Sequence, residues 1–257
     1  MAHISPRTKS HWPAAIIAAS LSLFPSMILA ETVVSPAEFG PLNEQGIPQT
    51  MDGFQLASSG TGFFISFEGH FVTPFHVAGH CRRLAILRPE RAYEAQIVVA
   101  DAAADLVVLR SDAPHFSAEL TMGKSSTPGA SLTITRFNHL GGFAGRSTVL
   151  AWYVQTIHKP PLDIAMAASE PIFGGNSGSP AVRVGGGVAA MVTAVAQTDR
   201  TIALGIDAGD IAAFLSKNRI PFRWQRSPVS SVIEQGGAEQ FTFPVVCYVS
   251  PVSSFTR

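Results

Sequence analysis

Cysteine, charge and long apolar runs are scarce in this chain, and each shortage excludes something. Two cysteines occur in 257 residues, Cys81 and Cys247, so one bridge between them is the single intramolecular disulfide available. Charged residues make up 14% and the formal net charge is zero, which leaves no broad electrostatic attraction to nucleic acid. After residue 30 no apolar stretch is long enough, and free enough of glycine or charge, to be a membrane helix. Internal repeats and low-complexity tracts are absent. No histidine follows His158.

The start of the chain has a different texture. Arg7 and Lys9 lie in a basic head, a mostly apolar run goes from Ala14 to Ala30, and no acid occurs before Glu31. That is the layout of a secretory signal at 1–30, with cleavage after Ala30. An uncleaved anchor is the alternative, and the shortness of the run and its break at Pro25 count against it. Either way the rest is exported, to the periplasm or the medium, with no membrane contact once the signal is removed. Both cysteines then meet an oxidising compartment, where a Cys81–Cys247 bridge persists; two free thiols are the other possibility. The bridge would tie the C-terminal tail to the first third of the chain.

From 31 to 58 the sequence is loop-like, broken by Pro36, Pro41, Gly46, Pro48 and Gly53. Short segments rich in Val, Ile, Thr and aromatics follow: TGFFISF, HFVTPF, RLAIL, AQIVVAD, DLVVLR, LTITRF, TVLAWYVQTI, DIAMAA, SPAVRV, VAAMVTAVA and TIALGI. Nothing between them has a helical pattern of 10–15 residues, so the chain is all-β, a sandwich or barrel, and no βαβ sheet. One helix stands out, DIAAFLSKN, where Asp210 can cap the first turn and Ile211, Phe214 and Leu215 share a face. The organisation is therefore a signal at 1–30, an extension at 31–58, a domain at 59–220 and a tail at 221–257.

The stretch PIFGGNSGSP, Pro171 to Pro180, carries the chemistry. Glycine is costly to order and is useful where the backbone takes unusual dihedrals or approaches another group. A serine held by glycines, Ser177, can attack a carbonyl while nearby N–H groups stabilise the oxyanion. It needs a base and an orienting acid. Every histidine precedes Ser177, which excludes the order Ser, Asp, His, and G-N-S-G-S is not the G-x-S-x-G elbow. His, Asp, Ser remains. FVTPFHVAGHC sets His76 just after a strand, and VVADAAADLVVL sets Asp105 at the start of another, with Asp101 as the competing acid. His76 and His80 also make an H-x3-H pair, but no carboxylate motif accompanies it and no metal is expected. Asp52 before His76 would give a subtilisin order, whose fold needs the helices that are missing.

SGTGFFIS, TPFHV, DAAADLVVL, GGNSGSP, VAAMVTAV and the late helix, in that order, resemble the trypsin-like serine peptidases of the chymotrypsin fold. The likeness is to the bacterial branch that includes glutamyl endopeptidases and periplasmic high-temperature-requirement proteases, and it covers about 59–218. It implies two packed six-stranded antiparallel β-barrels with a short C-terminal helix, and a serine endopeptidase without cofactor acting on protein or peptide substrates. Residue by residue, it implies Ser177 as nucleophile, His76 as general base and Asp105 as the acid that orients it, with the amides of Gly175 and Ser177 as oxyanion hole. Thr193 falls where the family often hydrogen-bonds the triad acid. Pro171, Ile172, Phe173, Val192, Thr193, Ala194 and Val195 would line the primary pocket. None of them is acidic, and Glu170 is the nearest carboxylate, so selection for Arg or Lys lacks support and a small or apolar side chain is expected. Phe75 beside the base would be packing or a partial block; Arg82 and Arg83 would reach the cleft or face water. A catalytically silent secreted binding protein, and a zymogen with 31–58 as pro-segment, are the rival readings.

Overall fold

The computed structural model describes residues 37–44, 46–122, 128–137, 146–183, 185–225 and 237–251. The signal segment with its cleavage point, and His139, lie outside them. Asp52 and Gly53, with φ of 50° and 80°, form the tight turn between β1 (Thr50–Met51) and β2 (Phe54–Phe64). Two successive positive φ values match the right-handed twist of a two-residue hairpin, and Asp-Gly is a preferred pair for it. There follow β3 (His70–Thr73), the one-turn helix α1 (Phe75–Ala78), β4 (Arg83–Leu87), β5 (Ala92–Asp101) and β6 (Leu106–Arg110).

The second group is β7 (Ser131–Phe137), β8 (Arg146–Lys159), β9 (Leu162–Ala168), β10 (Pro180–Arg183), β11 (Val188–Val195) and β12 (Ile202–Asp207), then helix α2 (Ala208–Lys217). These six strands close into an antiparallel barrel in the order β10-β11-β12-β9-β8-β7. A last strand, β13 (Thr242–Val249), returns to the first group, whose order is β1-β2-β13-β4-β5-β6-β3 with β2 also pairing β3. That extra pairing closes a second six-stranded barrel, with β1 as an outer edge. The two-barrel expectation holds.

Two expectations change. The segment after 220 is no tail: β13 lies between β2 and β4, with Val245 opposite Gly60 on one side and Ile86 on the other. It reads poorly as a strand because Pro244 interrupts it, and α2 is therefore not the final element. The extension also joins the first barrel, since Ile47 and Met51 are buried with Leu87, Val246 and Tyr248. Tyr248 donates to the Pro48 carbonyl at 3.0 Å, and burial holds its phenol well above the ordinary range. Cys81 and Cys247 are bridged, as the oxidising-compartment argument expects.

Each barrel has its own apolar filling, and a third cluster joins them. Phe63, Ile65, Val72 and Leu106 of the first barrel meet Leu120, Val182, Met191 and Ile206 of the second half and Ile211, Phe214 and Leu215 of α2. Each large side chain so buried contributes about 1.5–3 kcal/mol before entropy is counted. Asp207, rather than Asp210, caps α2, accepting the Gly209 amide at 2.7 Å. Asp210 sits in the first turn of α2, close to Asp163, whose carboxylate accepts the Asp207 amide at 3.2 Å. Burial pushes the Asp163 carboxyl up to about 6, helped by repulsion from Asp210 and Asp207.

Two outcomes follow for stability. The Cys81–Cys247 bridge spans 166 residues of sequence, so replacing both cysteines with alanine should lower the unfolding free energy by up to about 5 kcal/mol in urea titrations. A loss below about 1 kcal/mol would mean that the bridge constrains little. For Asp163, the folded chain keeps a proton between its unfolded value of 3.8 and about 6 that the unfolded chain has released. Stability therefore carries a contribution that is full below the lower value and is lost as pH rises through the upper one. Asp163→Asn should remove that decline, leaving the variant more stable than the parent at pH 7 and with a flatter urea midpoint across that window. Equal slopes in the two proteins would sink the assignment.

Candidate active site

β3 ends at Thr73, and Pro74, with φ −65° and no N–H to satisfy, turns the chain into α1. Val77 and Ala78 are buried under this single turn, which leaves His76 on its open side with 49% of its side chain exposed. Phe75 packs into the first barrel: its ring lies over Gly79, where a Cβ would come within 2.4 Å, and meets His80 edge-on at 4.9 Å. The ring is thus packing, not a block, and His80 is spent on it.

Asp105 lies in the turn joining β5 to β6. Asp101 braces that turn, its carboxylate accepting the amides of Ala103 and Ala104 at 2.9 and 3.1 Å. The backbone then passes through φ 50° at Asp105, a left-handed conformation uncommon outside glycine. The result points the carboxylate at α1. Phe75 N–H donates to the Asp105 carbonyl at 3.1 Å, His76 N–H to Oδ1 at 3.0 Å, and the imidazole Nδ1 to Oδ2 at 2.9 Å. An ionised carboxylate only accepts, so Nδ1 carries the proton and Nε2 is left with a lone pair. Asp101, the competing acid, is a turn brace.

The loop with Ser177 is held from three directions. Asn176, fully buried, accepts the Phe173 amide on Oδ1 at 2.8 Å and donates through Nδ2 to the Phe137 carbonyl at 2.7 Å. From the first barrel, Thr61 donates its hydroxyl to the Gly175 carbonyl at 2.7 Å and its amide to the Ser177 carbonyl at 2.8 Å. From β11, the Val192 carbonyl accepts the Gly178 amide at 2.7 Å. Gly178 has φ 97°, and a Cβ there would sit 1.6 Å from the Thr61 carbonyl oxygen, so only glycine fits. Gly175 has φ 88°. Among the described residues the amides of Gly175 and Ser177 donate to nothing. The Ser177 hydroxyl donates to the Thr193 carbonyl at 3.2 Å, not to imidazole.

This geometry corrects one expectation and decides two that were left open. Among the described residues the buried Thr193 hydroxyl has no partner, Asp105 included; its carbonyl, not its side chain, is what meets Ser177. Glu170 is no free pocket acid, because Arg136 holds its carboxylate. Arg83 faces away from the cleft, bound to Asp52 at 3.0 Å and stacked on Phe54, which also ends any role for Asp52 beside His76. Of the residues named for the primary pocket, Ile172 and Val192 are 1% exposed, Thr193 is buried, Ala194 and Val195 are half-buried, and Pro171 and Phe173 are exposed. Thr61 and Arg136 escaped the sequence reading. SGTGFF contained the first as an unexplained motif; a lone arginine in the apolar strand LTITRF was the signal for the second.

Known proteins share this arrangement of elements. The chain is 30% identical over 198 residues to the uncharacterized protein y4bJ of Sinorhizobium fredii, covering 74% of this chain and 30% of that one. It is 25% identical to the mitochondrial serine protease HTRA2 of Bos taurus, over 65% of this chain and 38% of the relative. The chain thus spans about a third of the length of these curated relatives. Among solved structures, the active form of the Rv3671c protease from M. tuberculosis superposes with a TM-score of 0.55 at 22% identity, covering 67% of this chain and 78% of that chain. The HtrA-type protease AlgW with a decapeptide gives 0.54 at 19%, covering 62% and 51%. Residues 60–191, just over half of the sequence, match the family model of the trypsin-like peptidase domain. On that match and the two closed barrels, the chain belongs to the trypsin-like peptidase family.

Proposed function

We propose that this chain is an exported serine endopeptidase that cleaves peptide bonds in protein or peptide substrates by a Ser177, His76, Asp105 triad. The observation that carries the reading is the His76–Asp105 pair, with Nδ1 committed at 2.9 Å, together with a Ser177 loop whose Gly175 and Ser177 amides are unengaged among the described residues, both lying against Gly60 of β2. For attack the Ser177 hydroxyl leaves the Thr193 carbonyl by a rotamer change and donates to His76 Nε2. Its Oγ then bonds to the substrate carbonyl carbon while the proton passes to Nε2. The amides of Gly175 and Ser177 receive the oxyanion, which is where such donors contribute most. The imidazolium, stabilised by Asp105, gives its proton to the leaving amine as the C–N bond breaks, and water repeats the sequence on the acyl-enzyme. In this reading the residues that would line the primary pocket include the buried, apolar Ile172 and Val192, and the nearest acid, Glu170, is held by Arg136, which supports a small or apolar side chain. The basic head and apolar run of 1–30 support export. Among the described residues no helix is long and apolar enough to cross a membrane.

One observation favours a second reading, a secreted binding protein with a silent site: the Ser177 hydroxyl bonds to a carbonyl rather than to the base. A fluorophosphonate probe decides between the two. Protein starting at Glu31 should be labelled, Ser177→Ala should not be, and His76→Ala should lose labelling as well. Asp105→Asn should lower kcat by about 10³–10⁴ with the fold intact by circular dichroism, because the imidazole loses its tautomer. A folded parent that takes up no probe and cleaves no peptide in a mixed library would favour the silent site.

A further inference from the structure

Arg136 is the last but one residue of β7 and is 5% exposed, an unusual place for a cation. Its guanidinium is engaged on three sides: Nε donates to Ser147 Oγ at 2.9 Å, one terminal nitrogen donates to the Pro171 carbonyl, and the other to the Glu170 carboxylate. The planar fork lets one side chain do this; an ammonium has neither the reach nor the directions. The next residue, Phe137, accepts the Asn176 side chain at 2.7 Å. Two consecutive residues at the end of β7 therefore hold both ends of the segment 170–176, the approach to the nucleophile.

Between those anchors lie Gly174 and Gly175, which impose few backbone preferences of their own. With the Gly175 carbonyl held by Thr61, the direction of the Gly175 amide depends on where the segment enters, at Pro171, and where it leaves, at Asn176. The entry is further tied by the Ile172 amide to the Arg200 carbonyl at 2.8 Å, but among the described residues only Arg136 grips the Pro171 carbonyl. Glu170 is mostly exposed, so pairing it does not require a buried arginine. A buried cation is worth its desolvation only where its bonds are fully made.

We infer that Arg136 is a positioning residue for the oxyanion-binding loop: through the Pro171 carbonyl it fixes the Gly175 amide in the direction a tetrahedral intermediate needs. The inference rests on the triad reading above. It assigns Arg136 to kcat, since the loop geometry matters most when negative charge forms, and not to substrate affinity.

The test compares the parent with Arg136→Met and Arg136→Lys in protein starting at Glu31. Arg136→Met should lower kcat and the fluorophosphonate labelling rate by about 10²-fold, the scale of one lost oxyanion donor, with KM within about twofold. Arg136→Lys keeps the charge but not the fork, and should lose about tenfold in kcat at the same KM; it serves if the methionine variant does not fold. Equal kcat in both variants, or a loss expressed in KM, would overturn the inference. Amide hydrogen exchange of 171–178 is read in the same samples without substrate. Faster exchange confined to that segment in the variants is expected, and unchanged exchange overturns the inference even if the parent proves to be no enzyme. A parent that neither labels nor cleaves overturns the triad reading, a result distinct from any difference among the variants.

Discussion

One threonine connects the two halves of the site. Thr61 is buried in β2 and gives both of its donors to the loop of Ser177, the hydroxyl to Gly175 and the amide to Ser177 itself. Its own carbonyl accepts the Thr73 hydroxyl at 2.8 Å, and Thr73 is the last residue of the strand that delivers His76. His76 and Ser177 belong to different barrels, yet both are referenced to this single residue. The stiffness of the reference comes from its neighbours, because β2 pairs with β1, β13 and β3. A Cβ at Gly60 would meet Val77 at 2.5 Å and the Ser177 carbonyl at 3.1 Å, so the strand passes directly between α1 and the nucleophile loop.

A polar junction inside an apolar contact is costly unless its groups are paired. Thr61, Thr73 and Asn176 are all 0% exposed and all satisfied. Among the described residues the buried hydroxyls of Thr193 and Ser179 have no partner, the kind of group whose burial is costly. The apolar cluster shared by both barrels and α2 offsets such losses. Its position behind the cleft also explains why the described part of the chain, from 37 on, holds together as one unit.

The two halves of the site are built differently. Asp105 and His76 are joined across 29 residues, and the turn carrying Asp105 is braced by Asp101 within itself. The nucleophile loop makes few bonds of its own and is held from 39 residues away by Phe137 and from 114 residues away by Thr61. Glycine-rich backbone can be placed accurately only by such outside grips. Arg136 at the end of β7 belongs to the same set of grips.

Strand periodicity, the place of His76 just after a strand, the place of Asp105 beside the start of another and the glycine-rich GGNSGSP stretch depend on neighbours within a few residues, and all of them were legible in the sequence, as was the order His76, Asp105, Ser177 that the resemblance picked out. Local pattern also misled. Pro244 hid a strand that sits in the middle of a sheet, because a proline is tolerated wherever its missing N–H has no ladder partner to serve. Asp210 looked like a cap, although the backbone enters the helix one turn earlier at Asp207. What only the folded chain decided is which distant groups meet: Arg136 with Glu170, Thr61 with Ser177, and the Thr193 carbonyl in place of its hydroxyl. Those pairings are set by barrel closure and register, which fix distances between residues that share no local pattern, and a shift of one residue along a strand would exchange every one of them.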